Sequence, residues 1–227
     1  MTNIQICQIM VQILMGLEYT HSKETIHRDI SADNILFFAE QGQFKLADFG
    51  VATFGTTVNY GGKVDYMAPE VKEPKHYNYK ADIWSVGVVL YELCTYKRKY
   101  KDEVLSAFRT ANKPTEIKLP DDYKELQPIF NKITQYSPHY RPTASEVLKF
   151  FLEILGDVNS YQSYMEQMNQ LKKEELAKQV KSDVVELLQL LSTQISKNSS
   201  EQEQLTQELQ QTLKSIDQIV LKSQAQQ

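Results

Sequence analysis

The amino-acid sequence predicts a mainly α-helical domain with one small β-hairpin, followed by long helices of the coiled-coil type. Three observations lead to this prediction. Apolar residues recur every three to four positions in several segments, and two short apolar runs flank a Gly-containing turn. After Gly156 the composition changes to a stretch without proline or glycine. With 227 residues, 41% of them hydrophobic, the chain can form one core of about 150 residues plus an appendage.

Charge and cysteine content limit the classes of partner and compartment. The net charge is −4 and no basic stretch stands out beyond residues 97–99, so we expect no nucleic-acid partner. Cys7 and Cys94 lie among apolar neighbours, which favours buried thiols and a cytoplasmic or otherwise intracellular location. The apolar N-terminus lacks a basic region and is interrupted by polar residues; we therefore expect a soluble helix, with no signal peptide or membrane span.

The first elements are predicted around residues 27–34, here called the acidic loop. Apolar spacing predicts a helix over residues 4–19, which leads directly into this loop. The runs "NILFF" and "FKLAD" flank the turn Gln41-Gly42-Gln43 and predict a hairpin whose second strand delivers Asp48. Local structure is thus expected to bring Asp29 and Asp48 close together.

Helices are also predicted in the later part of the domain. The segment "YKADIWSVGVVLYELCTY" is nearly all apolar and is expected to form the central helix of the core. Further helices are predicted over residues 102–110, 123–134 and 144–155. For the last of these, Thr143 and Glu146 form a capping box, and Gly156 is expected to end the helix.

A Gln-rich tail is predicted over residues 165–227, joined by a linker (157–164) to the domain at 1–156. Its apolar residues repeat at intervals of mostly three and four; they are Leu176, Val180, Val184, Leu187, Leu191, Ile195, Leu205, Leu209, Leu213, Ile216 and Val220. Asn198-Ser199-Ser200 interrupts the pattern. The spacing predicts either a helical hairpin within one chain or a coiled coil between chains, which would make the protein self-associate.

The stretch "HRDISADNIL", beginning at His27, contains groups that suit phosphate chemistry. An aspartate next to an arginine, here Asp29, can accept a proton from an attacking hydroxyl. Asn34 and Asp48 offer oxygen ligands for a hard cation such as Mg2+. Taken alone, either His27-Arg28-Asp29 or the "DFG" at Asp48 would fit an ordinary turn equally well.

The motifs "HRDISADN", "DFG", "APE", "DIWSVG" and "RPT" occur together and in this order. In this combination the chain, from Met1 to Leu155, resembles the C-terminal lobe of the eukaryotic protein kinases, of the Ser/Thr type rather than the Tyr type. The resemblance implies transfer of a phosphoryl group to protein Ser/Thr, with ATP and Mg2+ as cofactors. The alternative is a catalytically inactive, pseudokinase-like scaffold that binds partner proteins and oligomerises through its tail.

Matched residue by residue, the resemblance makes Asp29 the catalytic base and Asn34 and Asp48 the magnesium ligands. Arg28 would pair with a phosphate on the activation segment, the stretch between the "DFG" and "APE" motifs. The available acceptors in this segment are Thr53, Thr56, Thr57 and Tyr60. The remaining matched residues would support the fold: His27 and Asp82 brace the loop, and Glu70 forms a buried ion pair with Arg141.

Three departures from the family pattern affect these expectations. The 227 residues contain no Gly-rich loop, no Val-Ala-Ile-Lys strand and no partner-glutamate helix. We therefore expect the chain by itself to be inactive and to expose an apolar surface where the N-terminal lobe would pack. Ser31 replaces the lysine that neutralises the transferred phosphoryl in Ser/Thr-type kinases, and Lys63 replaces the threonine that contacts this lysine. A Tyr-type kinase would instead have arginine at Asp33.

These two replacements lead to a hypothesis about the site. We expect Ser31 and Lys63 to have exchanged roles, so that the Lys63 ammonium reaches Asp29 and the phosphoryl group while Ser31 supplies the hydroxyl. The alternative is that both positions changed after activity was lost.

Overall fold

The computed structural model describes residues 1–59, 61–73, 75–96 and 117–156, and in the tail residues 166, 170, 173–174, 177–186, 207, 210–211 and 214. The chain divides into two compact units, Met1–Tyr161 and Gln162–Gln227. Every described residue of the tail is helical. The predicted helix at 102–110, the linker at 157–164 and the interruption at Asn198 lie outside the described residues, so these three predictions stay predictions.

The first unit is mostly helical, as the sequence predicts. Helix α1 runs over Asn3–Ser22 and is capped by Thr2, whose side chain accepts from the Gln5 N–H while the Gln5 side chain accepts from the Thr2 N–H. The helix is therefore slightly longer at both ends than the predicted 4–19. It packs against β3 and the last helix, α4.

Two short antiparallel strand pairs flank the acidic loop. The predicted hairpin is present: β2 (Ile35–Phe38) pairs with β3 (Gln43–Leu46), with Ile35 opposite Leu46. Its turn places Gly42 at a φ of +61°, a conformation that favours glycine. Strand β1 (Thr25–Ile26) pairs with β4 (Thr53–Phe54). The second pair fixes the start of the activation segment to the entrance of the loop.

Helix α2 (Lys80–Thr95) is the centre of the core, as predicted. All residues from Ala81 to Tyr91 are buried, including the polar residues Asp82 and Ser85. Ser85 donates to the carbonyl of Tyr66 at 2.7 Å, which satisfies its hydroxyl inside the core.

The last helices agree with the prediction to different degrees. The helix predicted over 123–134 is instead a 3₁₀ turn, Asp121–Leu126, followed by α3, Gln127–Ile133. Tyr123 has non-helical dihedral angles, φ −117° and ψ 21°, so the turn cannot continue as one α-helix. Helix α4, Ala144–Leu155, has the predicted capping box and ends at Gly156 with a φ of +68°.

Among the described residues, no helix combines the length and the apolar content needed to cross a membrane.

Candidate active site

The buried carboxylate of Asp82, on α2, fixes the backbone of the acidic loop. Its Oδ2 accepts the N–H of His27 and its Oδ1 accepts the N–H of Arg28, both at 2.8 Å. Asp82 is 1% exposed, so these charge-assisted bonds lie in a low-dielectric environment. His21, which the sequence analysis missed, adds a third contact from Nε2 to Asp82 Oδ2 at 2.9 Å. The loop therefore holds Arg28 at a φ of +66° and presents the next residue, Asp29.

The Asp29 carboxylate receives hydrogen bonds from two directions. Its Oδ1 accepts the backbone N–H of Lys63 at 2.8 Å. Its Oδ2 accepts from Asn34 Nδ2 at 2.8 Å and from Lys63 Nζ at 3.0 Å. Burial raises the pKa of Asp29, but the hydrogen bonds from Lys63 and Asn34 outweigh it and hold the pKa below its usual value. The Asp29 carboxyl is therefore ionised at neutral pH.

The Lys63 ammonium joins three groups of the site. Besides Asp29, Nζ donates to Ser31 Oγ at 3.0 Å and to Asn34 Oδ1 at 3.2 Å. Ser31 itself is fully buried. The structure thus brings Lys63 to Asp29, Ser31 and Asn34, which lie 34, 32 and 29 positions before it in the sequence.

Gly62 lets the activation segment approach the loop closely enough for these contacts. Its φ is +89°, and a Cβ at this position would lie 2.0 Å from the carbonyl oxygen of Arg28. Any larger residue would push the segment away from the loop. The sequence signal for this position was the Gly61-Gly62 pair before Lys63, which the sequence analysis did not use.

Asp48 lies two residues after the end of β3 and is exposed. Its φ is +64°, and its Oδ1 accepts the N–H of Gly50 at 3.1 Å. The ring of Phe49 packs on His27 with 4.5 Å between ring centroids, and His27 Nε2 meets the carbonyl of Ala47 at 3.1 Å. His27 therefore connects the two acidic segments.

The environment of His27 favours the neutral ring. Burial is the largest influence and lowers its pKa below the usual value, against the raising effects of Asp82, the Ala47 carbonyl, Asp29 and Asp48. This agrees with the predicted bracing role rather than with a proton-transfer role.

The donor set fits a magnesium ion. Asn34 Oδ1 and the Asp48 carboxylate are hard oxygen ligands, and Mg2+ is commonly held by one or two carboxylates together with water and substrate phosphates. In this structure Asn34 Oδ1 accepts from the Lys63 ammonium, so that oxygen is already paired with a cation.

The activation segment contacts Arg28 through its backbone. Arg28 Nε donates to the carbonyl of Val51, and Nη1 donates to the carbonyl of Asn59 at 3.2 Å. Of the predicted phosphate acceptors, Thr56 is exposed and Thr53 half-buried. Thr57 is 6% exposed and pairs with Tyr77 through both backbone groups, at 3.1 and 3.0 Å, and Tyr60 lies outside the described residues.

Comparison with known proteins identifies the family. The family model for the protein kinase domain matches residues 1–151. The chain belongs to the protein kinase family. Kinases of this family generally use ATP and Mg2+. The C-terminal-lobe assignment and the coiled-coil tail stay predictions.

The relatives of this kinase domain carry the names of serine/threonine-protein kinases or of mitogen-activated protein kinase kinase kinases. The human serine/threonine-protein kinase Nek5 is 37% identical over 163 residues, covering 66% of this chain and 22% of that protein. Mouse serine/threonine-protein kinase Nek1 is 34% identical over 155 residues, 64% of this chain and 13% of that protein. The Arabidopsis thaliana mitogen-activated protein kinase kinase kinase 3 is 37% identical over 146 residues, 61% and 24% respectively. The chain thus spans a quarter or less of the length of these relatives, and they give no support to the inactive-scaffold alternative.

The kinase domain contains the expected ion pair between Glu70 and Arg141. Arg141 Nη1 meets Glu70 Oε1 at 2.6 Å, and Nη2 meets Oε2 at 2.8 Å. The arginine is 2% exposed, lies over the ring of Trp84 at 5.0 Å, and donates to three backbone carbonyls. Such full satisfaction is what a buried guanidinium requires.

One further contact of the kinase domain carried no sequence signal. The Tyr66 hydroxyl donates to Glu92 Oε2 at 2.6 Å and accepts the N–H of Ala32 at 3.4 Å. Burial and then Glu92 raise the pKa of Tyr66. The tyrosine therefore links the activation segment, the core helix α2 and the acidic loop, which are distant in sequence.

Proposed function

We propose that this chain is part of an ATP-dependent protein kinase that transfers the γ-phosphoryl group of ATP to Ser/Thr hydroxyls of proteins. The observation that carries the proposal is the Asp29 carboxylate, held ionised by Asn34 and Lys63 at hydrogen-bond distances. The named Ser/Thr kinases among the relatives support the same activity.

In this reaction Asp29 is the catalytic base. The substrate hydroxyl oxygen forms a bond to the γ-phosphorus, and the bond from that phosphorus to the β,γ-bridging oxygen breaks. The bonding electron pair leaves with ADP, and the hydroxyl proton passes to an Asp29 carboxylate oxygen. Because hydrogen bonds already orient both oxygens of Asp29, the base needs little rearrangement before the proton transfer.

Asn34 and Asp48 are the residues that would hold Mg2+. The ion, when bound, supplies positive charge that orients the phosphates and offsets charge on their oxygens. The two residues flank the open end of the β2–β3 hairpin, where Ile35 pairs with Leu46: Asn34 lies just before β2 and Asp48 just after β3. The hairpin thus sets the separation between the two ligands.

The cellular setting follows from two free thiols. Cys7 and Cys94 are free and buried, and burial raises the pKa of Cys7 to about 11 and of Cys94 to about 12. Such thiols are unreactive and suit a reducing compartment. We therefore place the kinase inside the cell, acting on protein substrates, with the tail as the segment for self-association.

A phosphotransfer assay tests the proposed activity. The full-length protein is incubated with radiolabelled ATP, Mg2+ and a mixture of protein substrates, and the labelled residues are separated by phosphoamino-acid analysis. We expect phosphoserine and phosphothreonine. Asp29→Asn should lower kcat by about 100-fold or more because it removes the proton acceptor.

The matched control is Asp121→Asn, at an exposed aspartate on the 3₁₀ turn before α3, which should leave kcat unchanged. Equal rates for the wild type and Asp29→Asn would refute the assignment of the base. Label on tyrosine alone would refute the substrate class.

A further inference from the structure

The Lys63 ammonium uses its full hydrogen-bonding capacity within the site. A lysine ammonium has three N–H donors. Here they go to Asp29 Oδ2, Ser31 Oγ and Asn34 Oδ1, at 3.0, 3.0 and 3.2 Å. The side chain nevertheless keeps 31% of its exposure, while that of Asp29 keeps 12%. The Lys63 side chain therefore lies partly at the surface, next to the more deeply buried carboxylate of Asp29.

The contacts of Ser31 show why a lysine is needed at position 63. Ser31 is fully buried and its hydroxyl carries no charge, and it accepts from Lys63 Nζ at 3.0 Å. In the acidic loop, the Arg28 guanidinium donates hydrogen bonds to the backbone carbonyls of Val51 and Asn59. The cation that touches the base thus comes from the activation segment instead of the loop.

The backbone of Lys63 makes its own, separate contact with the base. Its N–H donates to Asp29 Oδ1 at 2.8 Å, and this bond does not depend on the side chain. The tether between the activation segment and the loop therefore survives removal of the ammonium. A role confined to holding the segment in place would not need a charged side chain here.

We propose that Lys63 is a catalytic residue whose ammonium stabilises the phosphoryl group in transfer, replacing a loop lysine at position 31. The inference rests on the proposed function. Lys63 gives up its longest bond, to Asn34 Oδ1, when that oxygen takes up its metal-binding role. The freed N–H then donates to an oxygen of the phosphoryl group, while the bonds to Asp29 and Ser31 keep the ammonium in position.

This assignment has an electrostatic consequence. An ammonium at hydrogen-bond distance from Asn34 Oδ1 competes with a metal ion for that oxygen and repels its charge. Removing the ammonium should therefore tighten metal binding even as it slows the reaction. Removal of a lysine with a purely structural role would not slow the reaction and tighten metal binding at the same time.

The kinetic test uses Lys63→Met in the full-length protein, with Lys149→Met as the control. Lys149 is an exposed lysine on α4 whose ammonium lies 3.8 Å from Glu153. We expect Lys63→Met to lower kcat by about 100-fold or more, as loss of one charge-stabilising group does, with a small change in KM for ATP. Lys149→Met should behave as the wild type, and equal melting temperatures of the two variants would exclude unfolding as the cause.

Rescue of the ammonium distinguishes its chemistry from its packing. Lys63→Cys treated with 2-bromoethylamine gains a side chain that ends in an ammonium at nearly the lysine length. We expect this treatment to recover at least 10-fold of the lost kcat, whereas the treated wild type should not change. Cys7 and Cys94 are buried with raised pKa values, so they should react slowly. The double variant Ser31→Lys/Lys63→Thr should also regain activity, because it returns the ammonium to the loop.

Metal binding gives a readout independent of turnover. Free Mn2+ is measured by electron paramagnetic resonance while it is titrated into the protein with ADP. We expect Lys63→Met to bind Mn2+ several-fold more tightly than the wild type and Lys149→Met to bind it equally.

The outcomes separate the two proposals. An inactive wild type would refute the proposed function. An active wild type with a fully active Lys63→Met, with no rescue by aminoethylation, or with unchanged Mn2+ affinity in Lys63→Met would overturn the role of Lys63 and leave the proposed function standing.

Discussion

At the scale of single residues, the protonation of Asp29 depends on the balance between its burial and its neighbours. Burial raises the pKa of this carboxyl. The hydrogen bonds that it accepts from Lys63 and Asn34 lower the pKa by more, so the pKa is below its usual value. The ion pair therefore keeps the base ionised in a partly desolvated site. Its removal should be visible in the pH dependence of the reaction.

Lys63→Met should shift the acid limb of kcat/KM to higher pH. The folded-state pKa of Asp29 lies below the unfolded value, so its contribution to stability is present above the unfolded pKa and is lost as pH falls through the folded pKa. Without the ammonium, burial has more weight and the pKa rises. A kcat/KM profile from about pH 4 to pH 8 measures the shift. An acid limb that coincides with those of the wild type and Lys149→Met would contradict the electrostatic account of Asp29.

Sequence reasoning found the residues of the site, but it did not fix their contacts. Asp29, Asn34 and Asp48 lie in short motifs whose order identifies the family, so they could be named from the sequence. Lys63 and Asp29 are 34 positions apart, and their contact was expected only by matching family positions. The hydrogen bond from the Tyr66 hydroxyl to Glu92 was missed because no local sequence pattern indicates which distant residue a hydroxyl will contact.

At the scale of secondary-structure elements, local signals determined which boundaries were predictable. Helix α4 was predicted to the residue because its capping box and Gly156 are both local signals. The start of α1 was missed by one residue although Thr2 and Gln5 also form a capping box. The helix expected over 123–134 was wrong in its first half, because Pro128 lies in the first turn of α3 and a proline does not fit the interior of a longer α-helix.

Close packing between α2 and the end of α3 predicts a specific pair of substitutions. Gly87 lies inside α2, and a Cβ there would lie 2.5 Å from Thr134 Cγ2 and 3.2 Å from Ile133 Cγ1. Gly87→Ala should therefore destabilise the domain by about 1–3 kcal/mol, although alanine has the higher helix propensity.

The companion change Thr134→Ser removes the clashing methyl group. It can keep the 2.7 Å hydroxyl bond to the Phe130 carbonyl. Urea unfolding should show that Gly87→Ala/Thr134→Ser recovers part of the loss. If Gly87→Ala were as stable as the wild type, the packing account of this glycine would be wrong.

At the scale of the whole molecule, the hairpin next to the site exposes apolar side chains. Leu36, Phe37 and Phe38 of β2 are 46%, 55% and 42% exposed. Leu36 and Phe38 share one face of the strand, and large apolar side chains exposed together favour an interface. The 227 residues also contain no Gly-rich loop that would cover ATP phosphates.

The 227-residue chain expressed by itself should therefore transfer no phosphoryl group in an Asp29-dependent manner, while the same chain joined to the N-terminal lobe of a related kinase should. The comparison is made at equal protein concentration with the same ATP and substrates. Transfer by the short chain that Asp29→Asn abolishes would show that these residues contain a complete kinase.

The tail is predicted to form helices that associate through their apolar positions. The described stretch 177–186 is helical, with Val184 8% exposed; all the repeating leucines lie outside the described residues. A peptide of residues 171–221 should show strong helical circular dichroism. Its melting temperature should depend on concentration if two chains associate, and not if one chain forms a hairpin. A random-coil spectrum at every concentration would contradict both arrangements.

The most direct test of the central claim is a crystal structure of the full-length protein with Mg2+ and a non-hydrolysable ATP analogue. The distance to measure joins Lys63 Nζ to the nearest γ-phosphoryl oxygen. We expect about 2.7–3.2 Å, with the bonds to Asp29 and Ser31 kept and the bond to Asn34 Oδ1 lost. An ammonium that stays on Asn34 Oδ1, or that turns away from the phosphoryl group into solvent, would contradict the account.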